Sequence, residues 1–213
     1  MSEVWSARAD AYRNAPEQRE GEDLDRIVEW AAGAETALDV ATGGGHVARR
    51  LREAGLRVVS ADPAPGMQPD VICRAEDLPF ADGSFDLVVT RIAPHHFDDV
   101  AAAVAELARV SRGLVVVEDT LYVSEQVEDA EKLRDPTHVR SYGEQEWRSL
   151  LEAAGLQVEA VELFEKRHPL DEWMARAGTP ADDAERVKEL LADLIEDGEY
   201  VDVKILLRAR KPV

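Results

Sequence analysis

The chain has 213 residues, 45% hydrophobic and 32% charged, enough for one compact unit with its own core and more than a stapled mini-protein needs. No stretch approaches the ~20 apolar residues of a membrane helix, and 25 Lys and Arg against 44 Asp and Glu leave a formal charge of −19. Such a charge repels phosphate backbones and anionic lipid surfaces, so neither nucleic acid nor a membrane is expected as a partner. A single cysteine, Cys73, permits no internal disulfide, and the acidic start MSEVWSARAD carries neither a basic nor an apolar leader, so a cytoplasmic setting is expected.

In chain order, a polar helix is expected over 3–14 and a second over 21–32, where Leu24, Ile27, Val28 and Ala31 recur at helical spacing. Residues 37–40 read as a strand, 46–54 as a helix stopped by Gly55, and 56–61 as a second strand, which makes one right-handed βαβ unit. Three prolines within 63–69 prevent a normal crossover helix there. Short apolar runs at 70–73, 85–90 and 114–118 read as buried strands, with a helix over 100–110. Cys73 closes the first of these runs and reads as a small buried strand residue. The charged stretch 120–142 reads as helical with a break at Asp135-Pro136, followed by a helix over 143–154. Runs 156–166 and 200–210 alternate as an antiparallel pair around a helical stretch at 181–196. Strands alternating with helices specify a doubly wound, mostly parallel α/β sheet with its ligand site at the carboxyl ends of the strands. With no repeat or linker in view, residues 1–213 read as a single domain, with N-terminal helices over 1–34 and cap segments at 120–142 and 167–198.

The strongest local signal is Leu38-Asp39-Val40-Ala41-Thr42-Gly43-Gly44-Gly45-His46, which sets glycines between a buried strand and a helix, where a ligand can approach the backbone. Asp62 ends the next strand, placed to accept both hydroxyls of a ribose. Read as Gly43-x-Gly45-x-x-Ala48, the loop also fits a dinucleotide fingerprint, so NAD with an oxidoreductase activity stays open on the loop alone.

Five motifs in order, LDVATGGGHVA (38–48), VVSADP (58–63), AEDLPFADGSFDLVVTRIAPHHF (75–97), VAELARV (104–110) and EWRSLLEAAGL (146–156), resemble the class I S-adenosylmethionine-dependent methyltransferases. Within that class the resemblance is to methyltransferase type 11, the group around the ubiquinone and menaquinone C-methyltransferases. It implies a Rossmann-like seven-stranded sheet with an antiparallel last strand, S-adenosylmethionine as cofactor and a small-molecule methyl acceptor. A protein that binds the cofactor without catalysis is the remaining alternative. The resemblance would line the cofactor with Asp39, Ala41, Thr42, Gly43 and Gly45 along the methionine and ribose, and with Asp62 on the ribose hydroxyls. Ala75 and Glu76 would sit at the adenine edge, and Arg91 and Ile92, within 90–93, beside the methionine part. Pro63, Met67 and His96 complete the expected wall. Three features depart from the family pattern. Ala41 stands where many relatives have glycine, at a position read as needing smallness more than positive φ. Arg74 replaces an acid that often meets the adenine amino group, and the proline-rich loop replaces a helix.

Methyl transfer needs nucleophile, methyl carbon and sulfur nearly in line, and positioning of that kind supplies about 7–11 kcal/mol. The requirement is the same for a carbon, oxygen or nitrogen acceptor, and a base would add about 10²–10⁴ in rate where the acceptor must lose a proton. His95, after the fourth strand, and His138, in the polar segment Arg134-Asp135-Pro136-Thr137-His138-Val139-Arg140, are the candidate catalytic groups. His96 has the competing reading of a brace for the following helix. Tyr12 resembles an aromatic that folds over the cofactor, where its ring face would meet the sulfonium. His46 reads as structural or as pocket wall, His168 carries no expected role, and Leu170, Trp173, Met174 and Ala177 read as core. No compact His and carboxylate spacing suggests a metal, and nothing in the chain sets an oligomeric state.

Overall fold

The computed structural model describes residues 2–212. Its elements run α1 (Ser2–Arg13), α2 (Pro16–Arg19), α3 (Glu22–Trp30), β1 (Thr36–Val40), α4 (His46–Glu53), β2 (Arg57–Asp62), β3 (Val71–Ile72), β4 (Phe85–Arg91), α5 (Val100–Val110) and β5 (Ser111–Thr120). They continue with α6 (Glu125–Arg134), α7 (Glu144–Ala153), β6 (Gln157–Pro169), α8 (Leu170–Ala177), α9 (Ala181–Leu190), β7 (Ile195–Glu196) and β8 (Glu199–Arg210). The sheet has the order β3-β2-β1-β4-β5-β8-β6, parallel from β3 to β5, with β8 antiparallel to both β5 and β6. This is the doubly wound sheet with an antiparallel last strand that the alternation and the resemblance imply. Two-residue β7 folds back on β8 as an extra edge.

Strand alternation divides the core between two faces. Leu38, Val88, Val115 and Ile205 pack with Leu107 of α5 and Trp147 of α7, whereas Ala37, Leu87, Val116 and Leu206 pack with Leu24 of α3 and Leu51 of α4. Helix starts are capped locally, Asp99 accepting from the Ala102 N–H at 3.0 Å and Ser124 from the Val127 N–H at 3.3 Å. The cap has an apolar centre of its own, in which Val127 of α6, Trp173 and Met174 of α8 and Val187 of α9 meet Tyr200 of β8.

The proline loop holds no crossover helix, as expected, only a single 3₁₀ turn at Pro65–Met67. Other expectations are corrected, and β3 keeps two residues of pairing rather than the four of its apolar run. Cys73 consequently lies beyond the strand and is half-buried rather than enclosed. β5 and β6 overrun their apolar runs, to Thr120 and Pro169, because β8 supplies a continuous partner for both. Those extra turns of ladder carry Asp119, Thr120 and His168 to the end of the sheet. Among the described residues no helix is long and apolar enough to cross a membrane.

Below that end, a four-member charge cluster ties α3 to the sheet. Arg91 Nε donates to Asp23 at 2.7 Å and to Glu118 at 3.0 Å, and Lys166 Nζ lies 2.9 Å from Asp23. Arg91 and Lys166 beside it hold Asp23 well below the usual carboxylate range against the effect of burial, while burial pushes Glu118 up to about 7. Removing one member leaves the others as uncompensated buried ions. Arg91→Met should therefore cost about 3–5 kcal/mol, measured as a fall in the urea midpoint with the m-value unchanged.

Candidate active site

The site begins where β1 ends. Asp39 Oδ2 accepts from Thr42 Oγ1 at 2.5 Å and from the Ala48 N–H at 3.0 Å, so one carboxylate spans the glycine loop from strand to helix. Burial pushes its pKa up to about 6, restrained by those two donors. The loop turns through left-handed residues Ala41 (φ 56°), Gly43 (φ 52°) and Gly45 (φ 75°). Ala41 thus corrects the expectation that its position needs only smallness, since its backbone takes a conformation that glycine adopts without strain. A Cβ built on Gly43 meets only the Ala41 carbonyl oxygen, at 4.0 Å. That space lies beside a cavity rather than against packed protein.

Asp62 faces the same space. Its two oxygens accept from the N–H groups of Gly43, at 3.0 Å, and Ala64, at 2.9 Å, and burial raises its pKa. Each oxygen keeps acceptor capacity beyond the bond it makes. Arg74, expected to disturb the adenine contact, is drawn to Asp98 at 2.6 Å and Glu76 at 3.3 Å, and Glu76 also accepts from the Asp98 N–H at 3.1 Å.

Helix α1 lies over the loop. His46 Nε2 donates to the Tyr12 carbonyl at 3.0 Å, Arg13 donates to the Gly66 carbonyl at 2.9 Å, and the Gly66 N–H donates to Ser6 Oγ at 3.1 Å. The Trp5 ring packs edge-on against Tyr12 and His96, with centroids 5.4 and 4.6 Å away. Met67 is buried with Ala9 and Ala64 beneath this helix.

A cavity of about 460 Å³ runs from the loop to the cap. Among the expected cofactor residues its wall includes Tyr12, Asp39, Ala41, Thr42 and Gly43 of the first half, and Asp62, Pro63 and Met67 of the proline loop. Ala75, Glu76, Arg91, Ile92 and His96 complete that set on the wall, with His95 beside them. Ile92 is β-branched yet sits at φ 51°, a strained conformation of the kind that gathers at functional sites. Two expected residues are not on the wall. Gly45 turns away to start α4, and His138 stands behind His95, with ring centroids 5.2 Å apart and Nε2 at 3.1 Å from Glu128. His96 both lines the cavity and braces the cap, its Nδ1 donating to the Thr137 carbonyl at 2.9 Å.

His95 Nδ1 lies 2.5 Å from Asp119 Oδ1, while Asp119 Oδ2 is buried without a partner among the described residues. Burial pushes Asp119 up to about 7 and, with His138, Lys204 and Arg134 nearby, drives His95 well below its ordinary value. The pair therefore favours a neutral imidazole whose Nδ1 is committed to Asp119, in a ring that forms part of the cavity wall.

The cap end adds Thr120, Glu131, Asp202 and Lys204, none of them expected, to Arg134 of the polar segment, to His168, which carries no expected role, and to Trp173, expected as core. Lys204 Nζ donates to Asp202 at 2.5 Å and to Thr120 Oγ1 at 2.8 Å. The signal was present in Tyr200-Val201-Asp202-Val203-Lys204, because two charges at i and i+2 of an otherwise apolar strand share one face. Trp173 is buried as expected of core, but one side of it also forms cavity wall.

A Cβ built on Gly44 comes 2.6 Å from His46 Nε2 and 3.0 Å from the Tyr12 carbonyl oxygen. Gly44→Ala should therefore loosen α1, seen as faster amide exchange over residues 2–13 with protection of β1 and β4 unchanged.

Residues 38–117 match the methyltransferase domain family. The chain is 32% identical over 215 residues to the uncharacterized methyltransferase YcgJ of Bacillus subtilis (strain 168), covering 89% of this chain and 83% of that one. The YcgJ crystal structure superposes with a TM-score of 0.80 at 26% identity, over 90% of this chain and 98% of YcgJ. The Bacillus halodurans C-125 protein BH2331 gives 0.78 at 30% identity, over 91% of this chain and all 100% of its own. A shorter match, 38% over 88 residues and 37% of each chain, is to the demethylmenaquinone methyltransferase of Beutenbergia cavernae. With a relative this similar along most of both chains, and a glycine loop, acid pair and sheet order arranged as described, the chain belongs to the S-adenosylmethionine-dependent methyltransferases of the type 11 family.

Proposed function

We propose that this methyltransferase acts on a small organic molecule, with S-adenosylmethionine at the glycine-loop end of the cavity and the acceptor in the chamber under the cap. The observation that carries this reading is the single cavity joining Asp39 and Asp62 at one end to His95, Thr120 and Lys204 at the other. The donor set suits the cofactor. Asp39, Asp62 and Glu76 present carboxylates to a cationic, hydroxyl-bearing ligand, and a Cβ at Gly43 would fill the space left beside the backbone. Bound there, S-adenosylmethionine supplies a methyl group activated by its sulfonium. The enclosing α1 and cap favour a small acceptor over a polymer, and a relative named for demethylmenaquinone supports the same class. We place the whole chain as one catalytic unit, working in the cytoplasm.

Asp62 holds the ribose hydroxyls in this reading, while Tyr12, Met67 and Ala75 pack around the remainder. His95 takes the acceptor's proton at Nε2, and Asp119 positions it by accepting from Nδ1–H. His138 supports His95 from behind rather than touching the acceptor.

Calorimetric titration tests the cofactor. S-adenosylmethionine and S-adenosylhomocysteine should bind at micromolar strength and NADH should not, and Asp62→Ala should weaken the first two by about 1–3 kcal/mol through lost charge-assisted hydrogen bonds. NADH binding in their place would overturn the reading.

The pH dependence has a definite sign. Below about 7 the proton held by Asp119 occupies the bond to Nδ1, which forces Nε2 to be the protonated nitrogen; above it, ionised Asp119 accepts from Nδ1–H and Nε2 becomes a base. For an acceptor that must lose a proton, kcat/KM should rise through about pH 7. Asp119→Asn should remove that limb while leaving S-adenosylhomocysteine affinity within twofold.

A further inference from the structure

We infer that the methyl acceptor carries a carboxylate or a similar planar oxyanion, held in the cap chamber by the guanidinium of Arg134; this rests on the methyl-transfer reading above. Arg134 ends α6 with its side chain 9% exposed, and it forms part of the cavity wall. Its Cζ lies 4.1 Å from the Trp173 ring centroid, so the planar group is laid over an aromatic face. Nε donates to Glu131 at 3.1 Å, the only hydrogen bond that the side chain makes among the described residues. The two terminal nitrogens have no acceptor there.

The other buried cations nearby differ. Arg91 reaches Asp23, Glu118 and the Gln18 carbonyl, Arg8 grips both oxygens of Asp135 at 3.0 Å, and Lys204 is held by Asp202 and Thr120. A guanidinium whose terminal donors are not spent on the protein is available to an anion in the chamber, and its fixed fork matches a carboxylate with two parallel bonds.

An independent observation points to the same place. His168 packs against Trp173 with centroids 6.2 Å apart, is 2% exposed, and has Nδ1 without a hydrogen bond. Its Nε2 lies 3.4 Å from Asp202, which Lys204 and that ring hold well below the usual carboxylate range against the effect of burial. Unsatisfied polar groups thus flank one aromatic ring. The carboxylates around it are each matched by a cation, Glu131 by Arg134 itself, Asp202 by Lys204 and Asp135 by Arg8, so an incoming anion meets paired rather than lone acids. His95 lines the same chamber, so a ligand anchored by its anion at Arg134 can present another atom to the imidazole.

The experiment is calorimetric titration of the intact protein, saturated with S-adenosylhomocysteine, with benzoate, acetate and the uncharged isostere benzamide. At least one carboxylate should bind, with benzoate at least tenfold tighter than benzamide. Arg134→Gln should lose at least tenfold in carboxylate affinity while its S-adenosylhomocysteine affinity stays within twofold. Arg134→Lys, which keeps the charge but not the fork, should fall between the two; circular dichroism and melting establish that each variant is folded, and Lys serves if Gln is not. Equal binding of benzoate and benzamide, no carboxylate binding, or unchanged affinity in a folded variant would overturn the inference. So would a selective loss of S-adenosylhomocysteine affinity, which would mean that the guanidinium holds the cofactor's own carboxylate. Failure of wild-type protein to bind S-adenosylhomocysteine at all would overturn the cofactor reading first, and this inference with it.

Discussion

The requirement that a buried charge find a partner governs more of this molecule than any single motif does. Taking an ion out of water costs several kcal/mol after relaxation, so ions survive inside only where geometry returns that cost. Here the answer differs from place to place along the sheet. Between α3 and the sheet, Arg91, Asp23, Glu118 and Lys166 close on one another and hold helix to strand. Between α1 and the cap, Arg8 is shared by Asp135 and the Ala177 carbonyl, tying the N-terminal helix to both cap segments. On the cavity wall Arg134 leaves its terminal donors unused, and behind the wall Asp119 Oδ2 has no partner among the described residues.

That contrast separates scaffold from chemistry. The pairs between helices and sheet serve rigidity, whereas the donors that Arg134 leaves open on the wall are where a ligand's polar atoms can add bonds. A protein with a formal charge of −19 thereby keeps a chamber in which individual cations act on what enters.

Much of this was readable from residues alone, for identifiable reasons. Strand β1, the glycine loop and Asp62 are local: each depends on a run of a few residues whose backbone and side chain act together, so pattern and position suffice. Ala41 lines the cavity, but its left-handed backbone is not legible from side-chain size, because φ is set by how the whole loop turns between β1 and α4. The cap chamber is the opposite case. Asp202 and Lys204 matter because β8 inserts between β5 and β6, and His168 because β6 runs on to Pro169 against that same strand. The alternation of 200–210 and its pairing with 156–166 are legible locally, whereas the run of β6 on to Pro169 and the presence of β5 on the far side of β8 are set by distant partners. His138 looked like an active-site group from its polar neighbours, yet Glu128, ten positions earlier, draws it behind the wall.

The insertion of β8 also bears on how this protein opens. Because the strand is paired on both sides as far as Lys204, with Asp202 just past the end of the β5 ladder but still paired to β6, that part of the floor cannot fluctuate away without breaking two ladders at once. Helix α1, by contrast, buries little beyond Ala9 and is fastened mainly by side-chain bonds to loops. The two walls of one cavity therefore belong to different levels of local stability. The floor shares the fate of the whole domain, whereas the roof can detach and return within the folded state.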